Sequence, residues 1–102
     1  MTYTVIVTES AARELDEAYD WLALQTDIAP TWYNGLLDAV LSLKDMPGRC
    51  PLSPHAEEGD RKTRQLVYGD RRHAYLILFE IRGENVFVWH VRHAGRADLE
   101  EF

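Results

Sequence analysis

Four basic side chains in the C-terminal part of the sequence are the residues best suited to chemistry. Arg92, His93 and Arg96 belong to the segment VWHVRHAGR, and Arg64 belongs to the run TRQLVY. Arginine side chains bind phosphate through paired hydrogen bonds and remain charged at physiological pH. A histidine can accept or donate a proton near neutral pH. We predict these four residues as catalytic candidates for phosphodiester transfer.

A second set of residues could bind the target without reacting. Arg61 and Lys62 precede TRQLVY, Arg72 precedes the next apolar run, and Tyr75 begins that run. The tyrosine ring could stack on a base or donate to a phosphate oxygen. Because the end of an antiparallel strand lies beside the start of its neighbour, both sets could converge at one sheet edge. The alternative is that many of these residues are solvated strand ends paired with carboxylates.

The charge of the chain is divided between two regions. The 102 residues carry a net charge of −6. Residues 1–60 have three basic and eleven acidic side chains, whereas residues 61–96 have eight basic and three acidic ones. The acidic total argues against polyanion binding by the whole surface. The basic region must therefore be considered as a separate surface.

Several other classes of site are disfavoured by composition. Cys50 is the only cysteine, so we expect a partly buried hydrophobe and neither an internal disulfide nor a nucleophile. The four histidines show no metal-ligand spacing, and we expect no metal and no cofactor. We also expect a cytoplasmic protein, because the chain lacks signal-peptide features and any apolar run of about 20 residues.

The elements that must position these side chains follow from periodicity. Residues 3–7 predict a strand, and Thr8 is a suitable N-cap for a helix. A second helix follows a short break, and Gly35 within it indicates a close approach to another element. The segment 46–60 predicts a loop, followed by strands TRQLVY, HAYLILFEI and NVFVWHV, with a hairpin turn at 82–85. The helical stripes comprise Ala11, Leu15, Ala18, Tyr19 and Leu22, then Ala29, Tyr33, Leu36, Leu37, Val40 and Leu41.

This order predicts one α+β domain over residues 1–102, β-α-α-β-β-β. An N-terminal helical hairpin would pack on one face of a small, mostly antiparallel sheet. Alternation assigns Tyr75, Ile77, Phe79 and Ile81, and likewise Phe87, Trp89, Val91 and His93, to the helix-facing side. The other face would carry Leu76, Leu78, Val86 and Val88 as an exposed apolar patch. Either a partner or the loop 46–60 would cover it.

The order of these elements and their sequences resemble the RelE/ParE superfamily of toxins from type II toxin–antitoxin systems. The resemblance lies in the first strand ending in Thr before an acidic, alanine-rich helix, in MPGRCPLSP, TRQLVYG and AYLILFEI, and in VFVWHVRHAGRADL. It covers nearly the whole chain and implies a single toxin domain over 1–102. It also implies a cytoplasmic growth inhibitor of the plasmid-stabilisation type. A cognate antitoxin would bind by laying a helix or strand along the hairpin and the sheet.

The resemblance leaves the target open between two branches. ParE-like members poison DNA gyrase, whereas RelE-like members cleave mRNA on the ribosome without a metal. The superfamily commonly has Tyr-Arg where this chain has Tyr75-Leu76, and the chain ends Glu-Glu-Phe without the tyrosine frequent in RelE-like tails. We therefore predict a toxin of the ParE-like or unassigned kind. The alternatives are a RelE-like, metal-independent endoribonuclease and a non-toxic relic that only binds an antitoxin.

Overall fold

Two helices follow a short strand and precede three longer ones. The computed structural model describes residues 2–25, 27, 29–54, 62–69 and 74–94. The elements are β1 (Thr4–Val7), α1 (Glu9–Gln25), α2 (Ala29–Leu41), β2 (Arg64–Tyr68), β3 (Tyr75–Arg82) and β4 (Asn85–His93), with 3₁₀ turns at Ser42–Lys44 and Pro47–Arg49. The predicted order β-α-α-β-β-β is confirmed. None of the described helices is long and apolar enough to cross a membrane.

The four strands form one mixed sheet in the order β1-β4-β3-β2. β2, β3 and β4 are antiparallel neighbours, whereas β1 runs parallel to β4, with Val7 opposite Val88 at its end. The turn between β3 and β4 uses Gly83 at φ 60°, a conformation that glycine adopts without strain. The mostly antiparallel sheet predicted from the sequence is therefore confirmed, with β1 as its one parallel strand.

Thr8 connects β1 to α1 and to the sheet. Its Oγ1 accepts a hydrogen bond from the Ala11 amide at 3.3 Å, as the predicted N-cap requires. The same hydroxyl donates to the Val88 carbonyl at 2.8 Å, and the Thr8 amide donates to that carbonyl at 3.1 Å. The start of α1 is thereby fixed beside β4.

The helices cover one face of the sheet and form the main core with it. Their buried side chains pack with residues of β3 and β4, and Tyr19 of α1 meets Tyr33 of α2 edge to face at 5.1 Å. Burial raises the pKa of Tyr33, and the nearby Asp16 carboxylate raises it further. The core cluster comprises Ala11, Leu15, Ala18, Leu36, Val40, Leu43, Cys50, Tyr75, Ile77, Phe79, Val86, Val88 and Val91.

A β-bulge in β4 overturns the predicted division of that strand. The register pairs Phe79 with Val88 but Leu78 with His90, so Trp89 is an extra residue on β4. Before the bulge, Val86 and Val88 face the helices. After the bulge, Val91 faces the helices. The prediction that Phe87 and Trp89 lie on the helix-facing side is therefore wrong. It is correct for Val91.

Among the described residues, the exposed apolar patch expected on the second face does not form. Val86 and Val88 are fully buried against the helices instead of lying on that face. Leu76 and Leu78 are also buried, with 4% and 3% of their surface exposed, and they pack with Ala94. The prediction that these four residues form an exposed patch is wrong. The loop 46–60 was one of the two elements predicted to cover this face. Part of that loop, residues 55–60, lies outside the described residues.

Candidate functional site

The candidate residues Arg92 and His93 lie where β4 ends beside the start of β3. The sheet register places Leu76 opposite Arg92 and Tyr75 opposite His93. The position where the superfamily commonly has arginine is thus directly across from Arg92 and is occupied by a buried leucine. Among the described residues of this strand pair, the basic side chains at this end of the sheet therefore come from β4, because the residue opposite Arg92 in β3 is apolar.

One carboxylate from α1 holds three consecutive residues of β4. Glu14 Oε1 lies 3.0 Å from Nδ1 of His90 and accepts a hydrogen bond from the Val91 amide at 3.3 Å. Glu14 Oε2 lies 3.6 Å from Nε of Arg92. We call this group, Glu14 with His90, Val91 and Arg92, the α1–β4 clamp. It neutralises a candidate phosphate-binding arginine with an internal acid.

His93 belongs to a row of aromatic contacts. Its ring lies 5.2 Å from Tyr75 at an interplanar angle of 90° and 5.6 Å from Trp21 of α1. Tyr75 in turn meets Trp32 at 5.1 Å and is only 4% exposed. The structure therefore places Tyr75 in the core, and its stacking on a target base stays a prediction. Its burial follows from its position opposite His93 and under α2.

The structure does not bring Arg64 to Arg92 and His93. Arg64 pairs in register with Phe79, four residues along β3 from Tyr75, which is about 13 Å at the usual rise per strand residue. Its Nη1 donates to the Cys50 carbonyl at 2.6 Å. Lys62 is exposed and lies just before Arg64, at the same end of β2. Among the described residues, Arg64 and Lys62 are therefore separated from Arg92 and His93 across the sheet.

Arg64 helps attach the segment after α2 to the edge of the sheet. Leu52 forms a bridge with Arg64, the Ser53 amide donates to the Thr63 carbonyl at 2.8 Å, and the Gln65 amide donates to the Pro51 carbonyl at 3.0 Å. Cys50 is buried beside this bridge, and burial raises the pKa of its thiol despite Arg49 and Arg64 nearby. A thiol kept neutral is a poor nucleophile, so the geometry favours a packing role for Cys50.

Three candidate residues, Arg61, Arg72 and Arg96, lie outside the described residues. His55 and His73 also lie outside them. Within the part of the chain that the structure describes, no three histidine, cysteine or acidic side chains are grouped so as to hold a metal ion. Basic and aromatic chemistry, rather than metal chemistry, is what the described side chains offer.

Sequence reasoning missed Glu14, although the sequence contains a signal for it. Glu14 follows Ala11 by three residues and precedes Ala18 by four, so it lies on the stripe that faces the sheet. An acid within an apolar stripe needs a partner. The predicted helical stripe includes Ala11 and Leu15 but omits Glu14, so no basic partner was predicted for this carboxylate.

Sequence reasoning also missed a group of side chains on the second face of the sheet, which is the outer face, away from the helices. Phe87 and Trp89 are two residues apart in β4, lie on that face and stack with centroids 5.7 Å apart. The Arg82 guanidinium carbon lies 5.6 and 5.5 Å from the two ring centroids, and its Nε donates to Glu80 at 2.9 Å. Glu80 is buried, so this pairing satisfies its charge.

The backbone groups on the outer edge of β2 are hydrogen-bonded near its start and unpaired, among the described residues, further along at Val67. Residues 63 and 65 direct their backbone groups outward to the segment 51–53. Strand alternation directs the backbone groups of Val67 outward as well. Among the described residues nothing pairs with Val67 on that side, and its surface is 52% exposed. An edge of this kind can accept a further strand.

Comparison with known proteins agrees with this architecture. A chain of the chromosomal ParDE toxin–antitoxin system from P. aeruginosa matches with a TM-score of 0.71 and 18% identity, over 90% of this chain and 96% of that one. A free-state structure of an arginine-to-alanine double mutant of the E. coli toxin RelE matches with a TM-score of 0.57 and 16% identity, over 99% of this chain and 93% of that one. At these identities the likeness shows the fold alone.

The sequence itself identifies the family. No curated protein sequence matches the chain significantly. The family model described as ParE toxin of type II toxin–antitoxin system, parDE, matches residues 5–98, which include every described element except the first residue of β1. The chain therefore belongs to the ParE toxin family of type II toxin–antitoxin systems.

Proposed function

We propose that the chain is a growth inhibitor that acts on DNA gyrase and is held inactive by a cognate antitoxin in the cytoplasm. The observation that carries this proposal is the ParE family match over residues 5–98. The P. aeruginosa relative is described as part of a ParDE system, which supports an antitoxin as the partner. Gyrase is the target that the resemblance to ParE-like toxins implies.

The arrangement of the basic residues supports a protein target over an RNA phosphate. Cleavage of RNA by arginines and a histidine requires these groups around one phosphate. Arg64 instead lies on β2, which β3 separates from β4, and donates to the Cys50 carbonyl, whereas Arg92 pairs with Glu14. Leu76 occupies the position across from Arg92. The described residues therefore offer single cations for an interface more readily than a phosphate site.

Expression of the chain without its neighbouring gene tests the proposed target. We expect growth arrest, inhibition of gyrase supercoiling by the purified protein, and no new RNA 5′ ends. Coexpression with the adjacent gene is the control and should restore growth. Codon-phased mRNA breaks with active gyrase would instead establish the RelE-like endoribonuclease. Normal growth with a folded chain would leave only the antitoxin-binding relic.

The edge of β2 at Val67 is the surface we propose for an antitoxin strand. Main-chain hydrogen bonds supply affinity when an extended segment joins a sheet edge, and alternate side chains supply specificity. Val67 offers outward backbone groups beside an apolar side chain that is half exposed. The outer edge of β1 is less open, because its preceding residue Tyr3 donates to the Lys44 carbonyl at 2.8 Å.

We expect Val67→Pro to weaken antitoxin binding at least about tenfold, equivalent to roughly 1.4 kcal/mol. Proline removes an outward N–H but no bond between β2 and β3, and edge strands tolerate it. The matched control Val67→Thr keeps the backbone donor and the branched shape, and its affinity should stay within about threefold of wild type. Calorimetric titration with the antitoxin measures both. Unchanged affinity for the proline variant would exclude strand pairing here.

A further inference from the structure

Glu14 has a different environment from the other acids of α1. Asp16, Glu17 and Asp20 are exposed, whereas the Glu14 side chain retains 23% of its surface exposed and lies against β4. The α1–β4 clamp gives it contacts at 3.0, 3.3 and 3.6 Å to three successive residues. A single carboxylate thus connects α1 to three successive residues of β4.

The position of the clamp follows from the unequal lengths of β1 and β4. Pairing of β1 with β4 ends at Val7 opposite Val88, but β4 continues to His93. Thr8 still donates to the Val88 carbonyl, and beyond that point the Val91 amide donates to Glu14 instead of a strand carbonyl. The carboxylate therefore satisfies the edge of β4 where no strand is present, and it contacts the Arg92 guanidinium from the same place.

We propose that Glu14 is a positioning residue that holds Arg92 in the orientation used against the target. This inference rests on the proposed function, in which Arg92 is a contact for the protein target. A free arginine side chain loses much rotamer freedom when it is immobilised at an interface. The contact from Glu14 Oε2 to Arg92 Nε restricts that freedom before binding, while Oε1 anchors the same carboxylate to the backbone of Val91. Helix α1 thereby contributes to target binding through β4.

The variant Glu14→Gln separates the two roles of the carboxylate. The glutamine oxygen can still accept from the Val91 amide, but it carries no charge for Arg92. Glu17→Gln is the matched control, because Glu17 is exposed one turn further along α1 and its replacement changes the net charge equally. Arg92→Ala is the reference for complete loss of the arginine.

We expect Glu14→Gln to weaken both growth inhibition and gyrase inhibition about twofold to fivefold, because a solvent-screened ion pair can supply no more than that. Antitoxin affinity and the melting temperature should stay close to wild type, as should all properties of Glu17→Gln. In ¹⁵N NMR spectra the Arg92 Nε–Hε signal should be ordered in the wild type and broadened in Glu14→Gln. These results together would support positioning.

Three outcomes would overturn the inference, and each has a separate meaning. Full inhibition by Glu14→Gln, with inhibition lost in Arg92→Ala, would mean that Arg92 acts without Glu14. A parallel fall in melting temperature, antitoxin affinity and inhibition would make the clamp merely structural. Full inhibition by Arg92→Ala would leave nothing for Glu14 to position. Failure of the gyrase proposal alone would be distinct, because growth inhibition and the NMR signal test Glu14 whatever the target is.

Discussion

Gly35→Ala is expected to lower the free energy of unfolding by about 2 kcal/mol and the melting temperature by roughly 10 °C. A Cβ at Gly35 would lie 1.9 Å from the Tyr68 hydroxyl oxygen and 2.9 Å from its Cζ. The tyrosine cannot easily move away, because its hydroxyl donates to the Trp32 carbonyl at 3.2 Å and its ring packs against the Trp32 ring. The helix propensity of alanine returns only about 1 kcal/mol.

Urea denaturation followed by circular dichroism measures this loss. Gly48→Ala is the matched control, because a Cβ at Gly48 meets nothing within 4 Å. Its free energy of unfolding should change by less than about 0.5 kcal/mol. Equal effects of the two substitutions would contradict the contact between α2 and β2 as the cause.

A double-mutant cycle with Tyr68→Phe identifies the clashing atom. Alone, Tyr68→Phe should cost about 1 kcal/mol, because it removes the hydrogen bond to the Trp32 carbonyl. In the Gly35→Ala background the same change should cost less or stabilise the protein, since the hydroxyl is the nearest atom to the new methyl group. Additive free energies in this cycle would mean that the ring carbons, not the hydroxyl, carry the strain.

Gly35 shows how far local sequence signals reach in this fold. A glycine inside an otherwise good helix predicts a close neighbour, and that prediction is confirmed by Tyr68. The Thr8 cap and the turn at Gly83 are equally local, because each depends on the conformation or hydrogen bonds of a few adjacent residues. The identity of the neighbour was not predictable, because it depends on how β2 is placed across the sheet.

The bulge at Trp89 marks the limit of such reasoning. Strict alternation from Val91 assigns Phe87 and Trp89 to the core. One extra residue in β4 shifts the alternation, so that Val86 and Val88 face the core instead. Val88 carries no signal of this change, since valine suits either face of a sheet. The parallel pairing of β1 with β4, which uses Val88 as its last partner, was similarly invisible to a pattern read along the chain.

The candidate site was predictable in part for the same reason. The sequence predicted Arg92 and His93 at the end of a strand. Their neighbours, Leu76 and Tyr75, depend on the register between β3 and β4. Arg64 was expected beside them and instead binds the Cys50 carbonyl. Glu14 is 76 residues from His90 in sequence, so only the packing of α1 on β4 brings its carboxylate to the basic side chains.

Arg92→Ala is expected to abolish target inhibition while antitoxin binding and folding persist. Removal of one partner of a charged contact at an interface costs about 2–5 kcal/mol of affinity, which corresponds to a loss of roughly 30-fold or more. The cost to folding is much smaller. About a third of the Arg92 side chain is exposed, so solvent screens its pair with Glu14, which contributes less than about 1 kcal/mol.

The matched control is Arg13→Ala, which removes the same charge from an exposed position on α1 and should leave inhibition unchanged. Gyrase supercoiling assays, calorimetry with the antitoxin and thermal unfolding measure the three properties independently. Glu14 keeps His90 and the Val91 amide as partners in Arg92→Ala, so β4 has no reason to detach from α1. Equal losses of inhibition and antitoxin binding would make Arg92 a structural residue. Inhibition lost alone would assign the end of β4 to the target and leave other surfaces to the antitoxin.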